Sequence, residues 1–189
     1  MDKTSKYAVF GSGSWATAIV KMLCENLDEV GWYMRSVYTK EHILKELHNP
    51  SYLSSVEFHT EQLKLSNDIN EIADWADVLI FVIPSAFIHT ELQKLTVDIS
   101  HKVVVSAVKG IIPETGLLVG EHFHDHYNIS FENIGVIAGP CHAEEVALER
   151  LSYLTISCAD ATKAQAIADV LSSDYIKTKI SDDIIGTEY

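Results

Sequence analysis

Four places in this chain carry residue types whose spacing could do chemistry. The first is a glycine pattern, G-x-G-x-x-A, at Gly11, Gly13 and Ala16. Gly11 lets the backbone turn sharply, Gly13 removes a side chain that would block a pyrophosphate, and Ala16 is small enough for a helix to pack closely on a strand. Such a loop would hold phosphate through main-chain N–H groups and the positive end of the helix that follows, with Ser14 adding a hydroxyl beside Trp15. The second place is Arg35, where a strand ends without any Asp or Glu at its tip. In a dinucleotide fold a carboxylate there bonds a ribose 2′-hydroxyl, whereas an arginine fork suits a 2′-phosphate. A solvated arginine is the alternative. Third comes Lys109, a lone cation closing an apolar run. Burial would cost it dearly without an anion nearby, so it reads either as a ligand contact or as an edge lysine in solvent. The fourth is Gly139-Pro140-Cys141-His142-Ala143, a turn that opens a second helix with carboxylates in its first turns. Cys141 either faces a ligand there or fills space as a small apolar residue.

These residues need strands and helices to aim them. Lys6-Tyr7-Ala8-Val9-Phe10 reads as a buried strand leading into the glycine turn, with an apolar helix over residues 15–27. Residues 29–35 are aromatic-rich and strand-like. A short helix over residues 39–48, capped by Thr39, stops before Asn49-Pro50. Residues 49–67 are irregular, with a short strand near Val56 and Phe58. Helices follow over residues 68–76 and 86–95, and Phe87 in the second of them reads as core or as a neighbour of a nicotinamide ring. Continuous apolar runs at 77–84 and 101–110 are how strands covered on both faces read. A helix is expected over 112–127, starting near Pro113-Glu114. It carries His122, His124 and His126, which would form a metal comb on a strand but diverge on a helix, so they read as solvated surface. Strands at 134–140 and 153–158, a helix at 160–172 and an edge strand at 175–180 complete the pattern. Alternating strands and helices predict an α/β fold. It should be a doubly wound, mostly parallel sheet of Rossmann-like, three-layer form over residues 1–189.

Composition excludes several classes. The 189 residues, 47% of them hydrophobic, are enough for one well-packed domain. A formal net charge of −13 argues against nucleic acid or an anionic membrane as partner. No apolar run approaches the roughly 20 residues of a membrane span, and residues 1–6 do not resemble a secretory signal. Cys24, Cys141 and Cys158 are scattered and odd in number, which suits a reduced, cytoplasmic protein without a bound metal.

The chain resembles the N-terminal domain of the bacterial NAD(P)-dependent glycerol-3-phosphate dehydrogenases. The resemblance rests on residues 11–18, Val82-Ile83-Pro84-Ser85, Val108-Lys109-Gly110-Ile111, residues 138–146 and residues 183–188, in the family's order and spacing. It implies that Gly11, Gly13, Ser14, Trp15, Arg35, Lys109 and Ala143 contact the cofactor. It likewise implies that Lys109, Gly139 and Cys141 contact glycerol 3-phosphate. The implied activity is reversible reduction of dihydroxyacetone phosphate to sn-glycerol 3-phosphate for phospholipid synthesis. Arg35 favours NADP(H) as cofactor, with NAD possible, and the resemblance implies a homodimer. Two positions depart from the family: Ala16 stands for a glycine, and Cys141 for a serine, replacing a hydroxyl by a weaker thiol. The family's proton-transferring lysine lies a few residues beyond Gly186-Thr187-Glu188, in a helical second domain. It is therefore expected after Tyr189, with no catalytic residue within the chain itself, and these residues correspond to the cofactor-binding part. A related hydroxy-acid dehydrogenase and a non-catalytic dinucleotide sensor share the same architecture.

Overall fold

The computed structural model describes residues 5–188. The domain expected over residues 1–189 is therefore seen without its ends. Tyr189, after which the proton-transferring lysine is expected, lies outside the described residues, as do residues 1–4. The centre of the fold is a sheet of eight strands: β1 (Tyr7–Phe10), β2 (Val30–Tyr33), β3 (Leu63–Ser66), β4 (Val78–Phe81), β5 (Val103–Ser106), β6 (Ile134–Ala138), β7 (Ser152–Cys158) and β8 (Ile176–Ser181). The spatial order is β3-β2-β1-β4-β5-β6-β7-β8. Pairing is parallel throughout except between β6 and β7. The doubly wound, mostly parallel sheet expected from the sequence is therefore present. Among the described residues seven α-helices lie between the strands, α1 (Ser14–Cys24), α2 (Val37–Glu46), α3 (Ile69–Trp75), α4 (Ser85–Leu92), α5 (Val119–Tyr127), α6 (Ala143–Ala147) and α7 (Ala161–Leu171), and an eighth, α8 (Ile184–Glu188), follows β8.

The pleat divides the core in two. In β1, Tyr7 and Val9 enter one cluster, with Ile19 and Leu23 of α1, Val146 of α6 and Ile167 of α7. Ala8 and Phe10 enter the other, with Ile72 of α3, Ile88 of α4 and Phe123 of α5. Side chains alternate across a strand, so a strand apolar at every position must be covered on both faces. This is why β1, β4 and β5 are buried at every residue. Phe10 stacks on Phe81, and Phe123 meets Phe81 tilted by 42°, with ring centroids 4.6 Å apart at each step.

Several elements differ from the sequence expectation. The short strand near Val56 and Phe58 does not form: both side chains are buried in the core, but from a loop. The strand forms at Leu63–Ser66 instead, pairing with β2 at the sheet edge, where only its end residues are buried. α2 starts earlier than expected because Ser36, not Thr39, caps it, with Ser36 Oγ accepting from Thr39 N at 3.0 Å. α5 starts at Val119, not near Pro113. Residues 111–118 close a turn through a bridge between Ile111 and Leu118, and Glu121 Oε2 accepts from Leu118 N at the helix start.

The histidines correct a further expectation. His122 is buried, 2% exposed, rather than solvated, because α5 turns it onto α4. Its ring stacks on His126 at 4.2 Å and meets His89 edge-on at 5.9 Å. Burial first, then the neighbouring His126 and His89, push its pKa down to about 4, against a weaker pull from Asp125. No group of three His, Cys, Asp or Glu residues among the described residues could hold a metal. The folded state thus binds the His122 proton less readily than the unfolded chain, whose histidines titrate near 6.5. Stability from this residue is present above about pH 6.5 and is lost as pH falls toward about 4. Melting temperature should drop over that window, and a His122→Phe chain should show a flatter profile there.

Candidate functional site

The parallel strands β1, β4, β5 and β6 end at the same edge of the sheet, and the strand order reverses between β1 and β4. Open α/β sheets bind ligands outside the carboxyl ends of strands at such a switch point. A cleft of about 220 Å³ lies there, lined by Gly11, Ser12 and Gly13 after β1, by Tyr33 and Arg35 at the end of β2, by Val82, Ile83 and Pro84 after β4, and by Tyr52 and Phe87.

The two glycines do different work. Gly11 has φ +130°, a conformation that side chains rarely adopt, and a Cβ there would sit 3.0 Å from the Val82 carbonyl oxygen. The fold needs this glycine: its N–H donates to Tyr33 O at 3.1 Å and its carbonyl accepts from Trp32 Nε1 at 2.7 Å. Gly13 is held by nothing of the kind. Its φ is −75°, and a Cβ would meet no atom within 4 Å. It is the N-cap of α1, with no side-chain cap and no acidic residue in the first turn. The start of α1 therefore presents free N–H groups and a positive dipole end to open space, which suits a pyrophosphate. Ala16 is fully buried, where α1 packs on the sheet.

Asn49 braces this loop, a role not visible in the sequence. Fully buried, its Nδ2 donates to Ser12 O at 3.1 Å and to Thr17 Oγ1 at 3.0 Å. Its Oδ1 accepts from the main-chain N–H groups of Ser51 and Tyr52. One side chain thus ties the glycine loop to the segment carrying Tyr52 into the cleft. In the sequence, Asn49-Pro50 reads only as a helix stop. Asn49→Ala should cost about 1–3 kcal/mol of stability, the range for stranding buried hydrogen-bonding groups. It should also weaken dinucleotide binding, with chemical denaturation and calorimetric titration as the two readouts.

Arg35 stands exposed at the cleft, with its guanidinium 5.8 Å over the Phe87 ring. Phe87 is 52% exposed. It is not core, and it lies beside Arg35 at the cleft. Ser14 lies on the other side of the loop, in a groove shared with Tyr52, Leu53 and the α6 residues Glu144 and Ala147. Trp15 is half-buried and packs against the core.

The remaining candidates gather at the β5–β6 end of the edge. Lys109 is exposed, and its charge reaches the Cys141 thiol. Burial, then Glu145, raise that thiol to about 11 against the pull of Lys109, so it stays protonated. Gly139 is required by packing: a Cβ there would overlap the Tyr153 carbonyl oxygen on β7. Glu145 Oε2 accepts from His142 N at 3.2 Å and closes the start of α6. Ala143 is buried beside α1, which leaves its main chain for any ligand. Cys24, Cys141 and Cys158 are free thiols. Among the described residues no helix is long and apolar enough to cross a membrane.

Comparison with known proteins agrees with this geometry. The family model described as the NAD-dependent glycerol-3-phosphate dehydrogenase N-terminus matches residues 6–164. Glycerol-3-phosphate dehydrogenases (NAD(P)+) of an Exiguobacterium species and of Oceanobacillus iheyensis are 32% and 33% identical, over 96% and 97% of this chain. The match covers 54% and 53% of those proteins, so the chain spans about half the length of the curated relatives it matches. The Plasmodium falciparum glycerol-3-phosphate dehydrogenase structure superposes with a TM-score of 0.85 at 25% identity, over 97% of this chain and 54% of that one. The Coxiella burnetii enzyme shares the fold, with a TM-score of 0.84 at 21% identity, over 98% of this chain and 56% of that one. With a switch-point cleft, an open glycine loop and a family match over most of its length, the chain belongs to the NAD-dependent glycerol-3-phosphate dehydrogenase family and carries its N-terminal region.

Proposed function

We propose that residues 1–189 form the dinucleotide-binding domain of an enzyme that reversibly reduces dihydroxyacetone phosphate to sn-glycerol 3-phosphate with NAD(P)H. The observation that carries this reading is the empty space in front of Gly13 at an uncapped helix start, together with the family match. A bound nicotinamide would supply the hydride. The residues of the chain hold and orient. The N–H groups opening α1 would take the pyrophosphate, with Ser14 and Trp15 beside it, and Arg35 the adenosine ribose end. Lys109 would place fixed positive charge near the substrate phosphate or the developing alkoxide, and the main chain at Gly139 and Ala143 and the protonated Cys141 thiol would border the same space. Proton transfer is assigned to a lysine after Tyr189, in the part of the relatives beyond these residues. A cytoplasmic homodimer that binds neither nucleic acid nor membrane completes the proposal, resting on the resemblance and on the net charge of −13. The test of the reaction is to assay the protein at its relatives' length against dihydroxyacetone phosphate and a panel of 2-keto acids. Preference for a keto acid would overturn the assignment.

Arg35 leads to a prediction about cofactor choice. A charge-assisted hydrogen bond is worth about 1.5–3 kcal/mol. Arg35→Ala should therefore weaken NADPH binding by roughly 10- to 150-fold while sparing NADH. Calorimetric titration of both cofactors measures this, and equal loss for the two would remove the 2′-phosphate from Arg35.

A further inference from the structure

A carboxylate does lie at the tip of β2, but it comes from another element. Glu91, near the end of α4, is 1% exposed. Its Oε1 accepts from Lys94 Nζ at 2.8 Å and from the Tyr33 hydroxyl. Its Oε2 faces Arg35, with the Nε atom 3.8 Å away. Tyr33 lines the cleft together with Arg35, and burial followed by the Glu91 hydrogen bond holds its phenol well above the usual tyrosine range, hence protonated. The cluster therefore holds two cations, one buried anion and one neutral phenol. At 3.8 Å the carboxylate is beyond hydrogen-bond distance of the guanidinium, so it acts on Arg35 through charge rather than by fixing its geometry. Two cations and one carboxylate leave a single net positive charge beside the place assigned to the ribose 2′ position.

We propose that Glu91 sets how strongly the cleft prefers NADPH over NADH, by offsetting part of the Arg35 charge so that a ribose is accepted with or without its 2′-phosphate. The proposal rests on the reading of Arg35 as the 2′-phosphate partner. A buried carboxylate repels a phosphate dianion, and its low-dielectric surroundings screen that repulsion poorly. Removing the charge while keeping the shape should leave the guanidinium and Lys94 to attract the phosphate unopposed. Glu91 then differs from a merely structural residue in the sign of its effect: losing a structural residue weakens both cofactors, whereas losing this charge strengthens one.

The test is calorimetric titration of NADPH and NADH into the wild-type chain, Glu91→Gln and Arg35→Ala, each checked by thermal melting. Glu91→Gln should raise the NADPH-to-NADH affinity ratio about tenfold, with NADH affinity little changed; tenfold corresponds to about 1.4 kcal/mol. Arg35→Ala should lower the ratio. If Arg35→Ala lowers it while Glu91→Gln leaves it unchanged or lowers it, the proposal is overturned and the Arg35 reading stands. If Arg35→Ala leaves the ratio unchanged, both fall. Should Glu91→Gln lack a cooperative melt, Lys94→Met takes its place. Stripping the carboxylate of its exposed cation should lower the ratio several-fold, and an unchanged ratio overturns the proposal.

Discussion

Gly13→Val should abolish measurable NADPH binding while leaving the domain folded. A Cβ at this position meets nothing within 4 Å, and φ −75° with ψ −176° is extended backbone that valine adopts freely. The folded state loses only the modest N-cap preference for glycine over valine, about 1 kcal/mol. The ligand loses much more, because the two added methyl groups stand in the space in front of the free N–H groups of α1. Excluding a pyrophosphate from those groups should weaken binding by at least about 10²-fold, or roughly 2.8 kcal/mol. Gly11 makes the contrasting case. Its φ of +130° and the 3.0 Å approach to Val82 O mean that Gly11→Ala strains the backbone before any ligand arrives. Strain of that kind costs about 1–3 kcal/mol, so Gly11→Ala should melt earlier. Thermal melts with and without NADPH separate the two. A Gly13→Val chain whose melting temperature still rises with NADPH as in wild type would show that the phosphate lies elsewhere.

What could be read from the sequence was what local chemistry dictates. The glycine loop and the apolar runs at β1, β4 and β5 each depend on residues close together in the chain. What could not be read depends on contacts between distant residues. β3 is a strand because β2 offers it an edge; Leu63-Lys64-Leu65-Ser66 does alternate, but four residues are too few to mark a strand in the sequence. Asn49 braces Ser12 from 37 residues away, and Glu91 reaches Arg35 from α4. His122 read as solvated because histidines at every second position diverge on a helix, yet α4 covers it. The tip of β2 shows the same limit most clearly. The sequence correctly has no carboxylate in that strand, while the fold delivers one from residue 91.

A polypeptide of residues 1–189 should bind NADPH but not turn over dihydroxyacetone phosphate. Binding needs the loops after β1, β2 and β4, and all of these lie among the described residues around one cleft. Turnover needs more. The reacting groups must be held at attack distance and a proton must reach the alkoxide. At the β5–β6 end of the sheet edge, Lys109 is exposed to water and the Cys141 thiol is raised to about 11, too weak an acid to serve near neutral pH. The family resemblance assigns the proton-transferring lysine to a segment beyond Tyr189, and the curated relatives are about twice as long as the stretch matched. Loss of general acid–base catalysis alone costs about 10²–10⁴-fold, and loss of positioning multiplies it. The 189-residue polypeptide should therefore show a cooperative melt raised by NADPH and no substrate-dependent loss of NADPH absorbance. A protein of the relatives' length should turn over at a rate within the usual range of roughly 1–10³ s⁻¹. Turnover at that rate by residues 1–189 would place proton transfer on Lys109 or another residue of this chain, and Lys109→Met would then be the variant that stops it.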